Sequence, residues 1–143
     1  MHVHIFYADD DNDDQGMFLE AIKEISNHVQ VTSQKNGNEL IRQLNNPPPY
    51  PNIVFLDLNM PIKNGYEVLK EIKNSEQTKD LPVVIFTTSD HGNAVEITRS
   101  LGARLYVPKP VSFSALINIL KYVLAIDWKT FTPTEKEFVY RTN

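Results

Sequence analysis

The chain has 143 residues, which suits a single domain that can bury a substantial apolar core. It has no cysteine, which excludes disulfides, thiolate metal sites and a cysteine nucleophile. Its 14 lysine and arginine residues against 18 aspartate and glutamate residues give a net charge of −4, which argues against a general nucleic-acid-binding surface. The sequence shows no secretory leader and no apolar run near the roughly 20 residues that span a bilayer. We therefore expect a cytoplasmic protein that binds neither nucleic acid nor membrane.

An acidic cluster follows the first predicted strand. Residues 3–8 are strand-forming and mostly apolar, and residues 9–14 contain five aspartates in six positions. Apolar residues then recur at the spacing of a helix, at Met17, Phe18, Ala21, Ile22 and Ile25. A position at a helix N-terminus, where caps and the helix dipole favour negative charge, explains Asp11, Asp13 and Asp14. It explains Asp9 and Asp10 less well, because they precede the first helical turn.

Strands alternate with helices along the rest of the chain. Predicted strands start near residues 3, 28, 52, 82 and 103, and helical spacing of apolar residues follows each of them. Such alternation predicts an α/β fold, with a parallel sheet covered by helices on both faces and joined by right-handed crossovers.

Asp57 ends the third predicted strand. Residues 53–56 form an unbroken apolar run, which is typical of a strand buried on both faces. Taken alone, Asp57 is equally well explained as a strand-ending residue that caps the next turn. Its position at the carboxyl end of a strand is also where open α/β sheets bind their ligands.

Four predicted strands bring polar side chains to this same edge of the sheet. The carboxyl ends of parallel strands all lie along one edge, so residues that follow different strands meet there. The residues concerned are Asp9 and Asp10 after the first strand, Asp57 after the third, Thr87 after the fourth and Lys109 after the fifth. Packing alone does not explain this convergence.

The chemistry of these groups suits phosphoryl transfer. Neighbouring carboxylates repel each other by roughly 4 kcal/mol per pair at an effective dielectric near 20, and Mg²⁺ would relieve that repulsion. With the cation bound, Asp57 could stay ionised and act as a nucleophile toward phosphorus. Lys109 and Thr87 could then bind the oxygens of the transferred group. The sequence predicts a phosphoryl-acceptor site.

Over about residues 2–126 the chain resembles the receiver domain of two-component response regulators. The matching motifs are Asp9-Asp10, Asp57 with Met60-Pro61 and Gly65, Thr87, and Lys109-Pro110. The resemblance implies a flavodoxin-like, doubly wound sheet of five parallel strands in the order 2-1-3-4-5, a (βα)5 arrangement.

The resemblance also implies roles for the site residues. Asp57 would accept a phosphoryl group from a histidine kinase or a histidine phosphotransfer protein, so the domain would be a signalling phosphoacceptor and no conventional enzyme. Asp10, Asp57 and the backbone carbonyl of Asn59 would bind Mg²⁺, and Asp9 would act through water. The Lys109-Pro110 peptide bond would be cis.

A conformational switch is implied as well. In the family, the hydroxyl after the fourth strand and an aromatic residue on the fifth move together on phosphorylation. Here these residues are Thr87 and Tyr106. The rotation of Tyr106 would remodel the surface formed by the fourth helix, the fifth strand and the fifth helix, where a downstream protein would bind. An alternative explanation of Tyr106 is a half-buried strand aromatic with no switching role.

The sequence after residue 126 departs from the commonest family pattern. We expect a receiver domain at 1–126 and a tail at 127–143 in place of an output domain, hence a single-domain response regulator. Thr132-Pro133-Thr134-Glu135 predicts a short, capped helix. The tail contains several aromatic residues, which favours packing on the domain over a free surface for a partner or for a dimer.

Two rival functions share parts of this pattern. A haloacid-dehalogenase-like phosphohydrolase also uses a strand-end aspartate and Mg²⁺, but it needs an acid two residues further on, where this chain has Asn59. A degenerate receiver that acts only as a binding module should lack a site residue, and none is missing here.

Overall fold

The computed structural model describes residues 3–45, 52–88 and 92–141. In these ranges five strands alternate with five helices, and a short sixth helix follows. The strands are β1 (Val3–Ala8), β2 (Val29–Gln34), β3 (Asn52–Leu56), β4 (Val83–Thr87) and β5 (Leu105–Pro108). The helices are α1 (Asn12–Ile25), α2 (Gly37–Leu44), α3 (Gly65–Asn74), α4 (Ala94–Ser100), α5 (Phe113–Ala125) and α6 (Glu135–Phe138).

The five strands form one parallel sheet in the order β2-β1-β3-β4-β5, which confirms the predicted topology. β1 and β3 are neighbours in the sheet, and their register pairs Ala8 with Leu56. The backbone N–H of Asp57 continues this pairing and donates to the carbonyl of Ala8 at 3.0 Å. The residues that follow the two strands, Asp9 and Asp57, therefore leave the sheet side by side.

The core consists of two apolar layers, one on each face of the sheet. Helices α1 and α5 cover one face, where Ile5 and Phe55 point. Helices α2, α3 and α4 cover the other, where Phe6 and Val54 point. Because both faces are buried, the central strands are apolar without alternation, as the run before Asp57 predicts.

The segment after α5 lies against the outer edge of β5. Val139 forms a parallel β-bridge with Tyr106, and the backbone N–H of Tyr140 donates to the carbonyl of Tyr106 at 2.8 Å. The Phe138 side chain is buried in the layer that includes α2, α3 and α4. The described part of the tail thus adds both backbone and side-chain contacts to the sheet.

The α6 helix begins two residues later than the sequence pattern predicts. Its capping box joins Thr134 and Glu137, where we expect Thr132 and Glu135. Both pairs have the required spacing, and the later start brings Phe138 into the core. Burial of that ring therefore decides between two local patterns of equal quality.

None of the helices in the described ranges is both long and apolar enough to cross a lipid bilayer. The predicted receiver domain (1–126) begins with residues 1–2, and the predicted tail (127–143) ends with residues 142–143. These four residues lie outside the described ranges.

Candidate functional site

Three carboxylates meet at the carboxyl ends of β1 and β3. Asp9, Asp10 and Asp57 each place one oxygen within 4.8 Å of the others. Asp9 and Asp57 are buried, whereas Asp10 is exposed at the mouth of the site. Carboxylate oxygens held this close are a donor set that suits a hard divalent cation such as Mg²⁺. The structure thus brings together the acidic residues that the sequence singles out.

Asp57 lies at the centre of this group. Its Oδ1 faces the backbone N–H of Asn59 at 3.4 Å, and its Oδ2 faces Lys109 Nζ at 3.3 Å. The Thr87 hydroxyl also hydrogen-bonds to the carboxylate. Burial nevertheless raises the pKa of Asp57 above its ordinary value, because the charged form loses hydration that Lys109, Thr87 and Asn59 do not fully replace.

Lys109 offsets part of the negative charge of these carboxylates. Its Nζ lies 2.7 Å from Asp9 Oδ2, 2.7 Å from Asp14 Oδ2 and 3.3 Å from Asp57 Oδ2. Burial alone would lower the pKa of this amine, but the hydrogen bonds to Asp14 and Asp9 outweigh burial and raise it. Lys109 is therefore a permanent cation in contact with the Asp57 carboxylate.

Asp9 is held by three donors. Its Oδ2 accepts a hydrogen bond from the Tyr7 hydroxyl at 2.6 Å as well as the contact from Lys109, and its Oδ1 accepts from the backbone N–H of Asp11 at 2.9 Å. Burial, followed by the charge of Asp9, raises the pKa of Tyr7, so the hydroxyl remains a donor at all physiological pH. With its oxygens occupied in this way, Asp9 suits an indirect role toward a cation.

Sequence reasoning missed two of these contacts. Asp14 is explained there as a helix-end charge and Tyr7 as part of an apolar strand, yet each contacts a site residue directly. The structure does place Asp11 at the N-terminus of α1, where its side chain caps the helix by accepting from the backbone N–H of Asp14. A polar hydroxyl two residues before Asp9 was a signal for Tyr7, because strand residues two apart share a face.

Gly65 lets α3 approach the backbone of Asp57 closely. Its backbone N–H donates to the carbonyl of Leu58 at 3.0 Å. A Cβ atom at this position would lie 2.4 Å from the backbone oxygen of Asp57 and 2.7 Å from Leu58 Cα. Glycine is therefore required here by the backbone packing beneath Asp57.

Thr87 and Tyr106 lie on the adjacent strands β4 and β5. Both side chains are buried, Tyr106 with only 3% of its surface exposed. The ring of Phe138 lies over Tyr106 with 6.4 Å between centroids. The structure thus places Tyr106 beneath the α6 segment, which no sequence pattern indicates.

The predicted cis bond before Pro110 is wrong. No peptide bond in the described ranges is cis, and the Lys109-Pro110 bond is trans. The backbone N–H of Lys109 donates to the carbonyl of Thr87 at 3.0 Å, so the β4–β5 pairing continues to the proline. The trans form is also the ordinary preference of an X-Pro bond, by about 0.5–1 kcal/mol.

The raised pKa of Asp57 predicts how the stability of the folded protein depends on pH. In the pH window between its ordinary pKa of 3.8 and the raised value, the folded protein binds more protons than the unfolded chain, so stability falls as pH rises through that window. Above the window the buried charge remains a constant cost. We therefore expect Asp57→Asn to melt about 3 °C higher than the parent at pH 7, and this gain to shrink as the pH approaches 3.8.

Thermal melts at several pH values measure this effect. Asp13→Asn is the matched control, because it removes the same charge from an exposed position next to the site. A melting temperature for Asp57→Asn at or below that of the parent at pH 7 would contradict the expectation.

Comparison with known proteins identifies the family. The model of the response regulator receiver domain matches residues 5–121. Response regulator Rcp1 of Synechocystis sp. is 36% identical over 84 residues, covering 59% of this chain and 57% of Rcp1, so the match spans little more than half of that relative. Protein PilH of Pseudomonas aeruginosa is 32% identical over 119 residues, covering 81% of this chain and 93% of PilH.

Solved structures agree with this assignment. The crystal structure of the phosphorylated cyanobacterial phytochrome response regulator RcpA has a TM-score of 0.79 and 30% identity, and the match covers 91% of this chain and 96% of RcpA. The Mn²⁺-bound form of Rcp1 has a TM-score of 0.76 and 27% identity, with 89% and 95% covered. The chain belongs to the response regulator receiver domain family.

Proposed function

We propose that Asp57 accepts a phosphoryl group from a phosphohistidine on a histidine kinase or a histidine phosphotransfer protein. The observation that carries this proposal is the position of Asp57, which lies buried at the sheet edge with Lys109 Nζ at 3.3 Å and two further carboxylates beside it. The phosphorylated form of RcpA supports the same chemistry for this chain.

The proposed step is an exchange of one bond for another. An oxygen of Asp57 forms a bond to phosphorus while the phosphorus–nitrogen bond of the donor breaks, and the electron pair of that bond returns to the imidazole nitrogen. Lys109 supplies a fixed positive charge for the oxygens of the transferred group, and the Thr87 hydroxyl supplies a hydrogen bond. Both are already in contact with Asp57, so little rearrangement is needed.

Mg²⁺ is the cofactor that these residues fit. Asp10, Asp57 and the backbone carbonyl of Asn59 would hold the ion, and Asp9 would act through water. The occupied oxygens of Asp9 favour that division of roles. When bound, the cation would offset the negative charge of the carboxylates and of the phosphoryl oxygens. The Mn²⁺-bound form of Rcp1 supports a divalent ion at such a site.

Phosphorylation would then change a protein-binding surface. It would place about −1.5 to −2 charges beside Lys109 and Thr87, and the hydroxyl would move toward the new group. Tyr106 is the switch residue that we propose to follow it, and the downstream partner would bind the surface of α4, β5 and α5. Because α6 covers Tyr106 in this chain, a movement of Tyr106 would also disturb the packing of the tail.

Phosphorylation by acetyl phosphate tests the acceptor role. We expect intact-mass spectrometry to show one added phosphoryl group when Mg²⁺ is present and none after chelation. Asp57→Asn should not be modified, whereas Asp13→Asn, an exposed aspartate of the same acidic cluster, should react like the parent. Modification that persists in Asp57→Asn or without a divalent ion would refute the proposal.

A further inference from the structure

Lys109 has three N–H donors and contacts three carboxylates, but the contacts are unequal. The bonds to Asp9 and Asp14 are 2.7 Å long, and the one to Asp57 is 3.3 Å long. The position of the ammonium over the acceptor is thus set by its two shorter bonds, one to a strand end and one to a helix. The Lys109 side chain is only 7% exposed, so solvent contributes little to holding it.

Asp14 differs from the other two partners of Lys109. It lies in the first turn of α1, and it is not one of the three carboxylates that cluster as a candidate cation site. A cation and a phosphoryl group would engage Asp9 and Asp57, directly or through water, and would weaken their hold on the ammonium. Asp14 is the partner that would keep its bond to Lys109 through the reaction.

We propose that Asp14 is a positioning residue that holds Lys109 Nζ at the place where the phosphoryl oxygens arrive. This role rests on the proposed phosphoacceptor function, and Asp14 itself touches neither the acceptor oxygen nor the transferred group. Its backbone is fixed by the hydrogen bond from its N–H to the Asp11 side chain at 3.0 Å, so the carboxylate is presented from a rigid helical turn.

Asp14→Asn tests this role with little change of shape. The amide keeps an oxygen acceptor but loses the charge that balances the ammonium, so Lys109 becomes less well ordered. We expect the rate constant of phosphorylation at saturating acetyl phosphate and Mg²⁺ to fall about tenfold, because the hydrogen bond that positions the Lys109 ammonium loses its charged acceptor. Asp14→Glu keeps the charge and should recover part of the rate.

Asp13→Asn is the matched control for charge. It removes one negative charge from the same helical turn at an exposed position, and its rate should stay within twofold of the parent. A second control uses Lys109→Gln, in which Asp14 has no ammonium to hold. In that background Asp14→Asn should change the residual rate by less than twofold.

The outcomes separate this inference from the proposed function. No phosphorylation of the parent protein would refute the acceptor role itself. A parent that reacts, with Asp14→Asn matching Asp13→Asn or reacting faster than the parent, would overturn only the role of Asp14. Equal losses from Asp14→Asn with and without Lys109 would also overturn it, because the effect would then be structural. Thermal melts of each variant confirm that the rates compare folded proteins.

Discussion

Replacing Phe138 with alanine should lower the free energy of unfolding by about 3 kcal/mol, the lower end of the range for a buried phenylalanine. The ring is 1% exposed and belongs to the layer of core residues between the sheet and α2, α3 and α4. It contacts Tyr106, and the Arg99 guanidinium lies 6.0 Å from its centroid. The lower end applies because a terminal segment can detach as a unit, which limits the loss to the free energy of docking the tail.

Urea denaturation at equilibrium measures this loss. Lys136→Ala is the control, since Lys136 is exposed in the same short helix and its replacement should change stability by less than about 0.5 kcal/mol. Equal stabilities of the two variants would show that the tail contributes no packing energy to the domain.

Replacing Gly65 with alanine should damage both stability and phosphorylation. The new Cβ would meet the backbone oxygen of Asp57 at 2.4 Å, and a backbone atom cannot rotate away as a flexible side chain can. Either α3 or the segment that carries Asp57 must shift. We expect a loss of about 2–3 kcal/mol of stability. If Asp57 is the phosphoacceptor, as proposed, the phosphorylation rate should also fall at least tenfold, because the Asp57 carboxylate moves relative to Lys109.

Gly16→Ala is the matched control for this substitution. A Cβ at Gly16 would meet no atom within 4 Å, and the residue lies inside α1, where alanine is favoured over glycine by about 0.5–1 kcal/mol. The same chemical change should therefore stabilise the protein at one position and destabilise it at the other. A Gly65→Ala protein with the parent's stability and rate would show that the loop after β3 absorbs the clash without moving Asp57.

The parts of the site that were predictable from sequence are those fixed by chain topology. Asp57 and Lys109 each follow directly after a strand, and the carboxyl ends of parallel strands share one edge whatever the details of packing. The strand order brings both residues to that edge, and the long Lys109 side chain spans the intervening β4 to lie 3.3 Å from Asp57. Gly65 was also identifiable, because its spacing from Asp57 matches the family motif.

Contacts that depend on how a helix or tail is rotated were not predictable in this way. Asp14 reaches Lys109 only because α1 packs in one orientation against the sheet, and the acidic run around it has an adequate local explanation as a helix cap. The α6 helix covers Tyr106. Two equivalent capping patterns could start this helix, and α6 begins at the one that buries Phe138. Spacing along the chain carries no information about either choice.

The bridge between Val139 and Tyr106 has a consequence for association between molecules. An outer strand normally presents unpaired backbone groups to which another chain can add a strand. Here the carbonyl of Tyr106 already accepts the N–H of Tyr140, and the segment around it lies along β5. The β5 side of the sheet is thus closed to strand addition at this point, so a second molecule that approaches by backbone pairing is directed to β2, at the opposite end of the strand order.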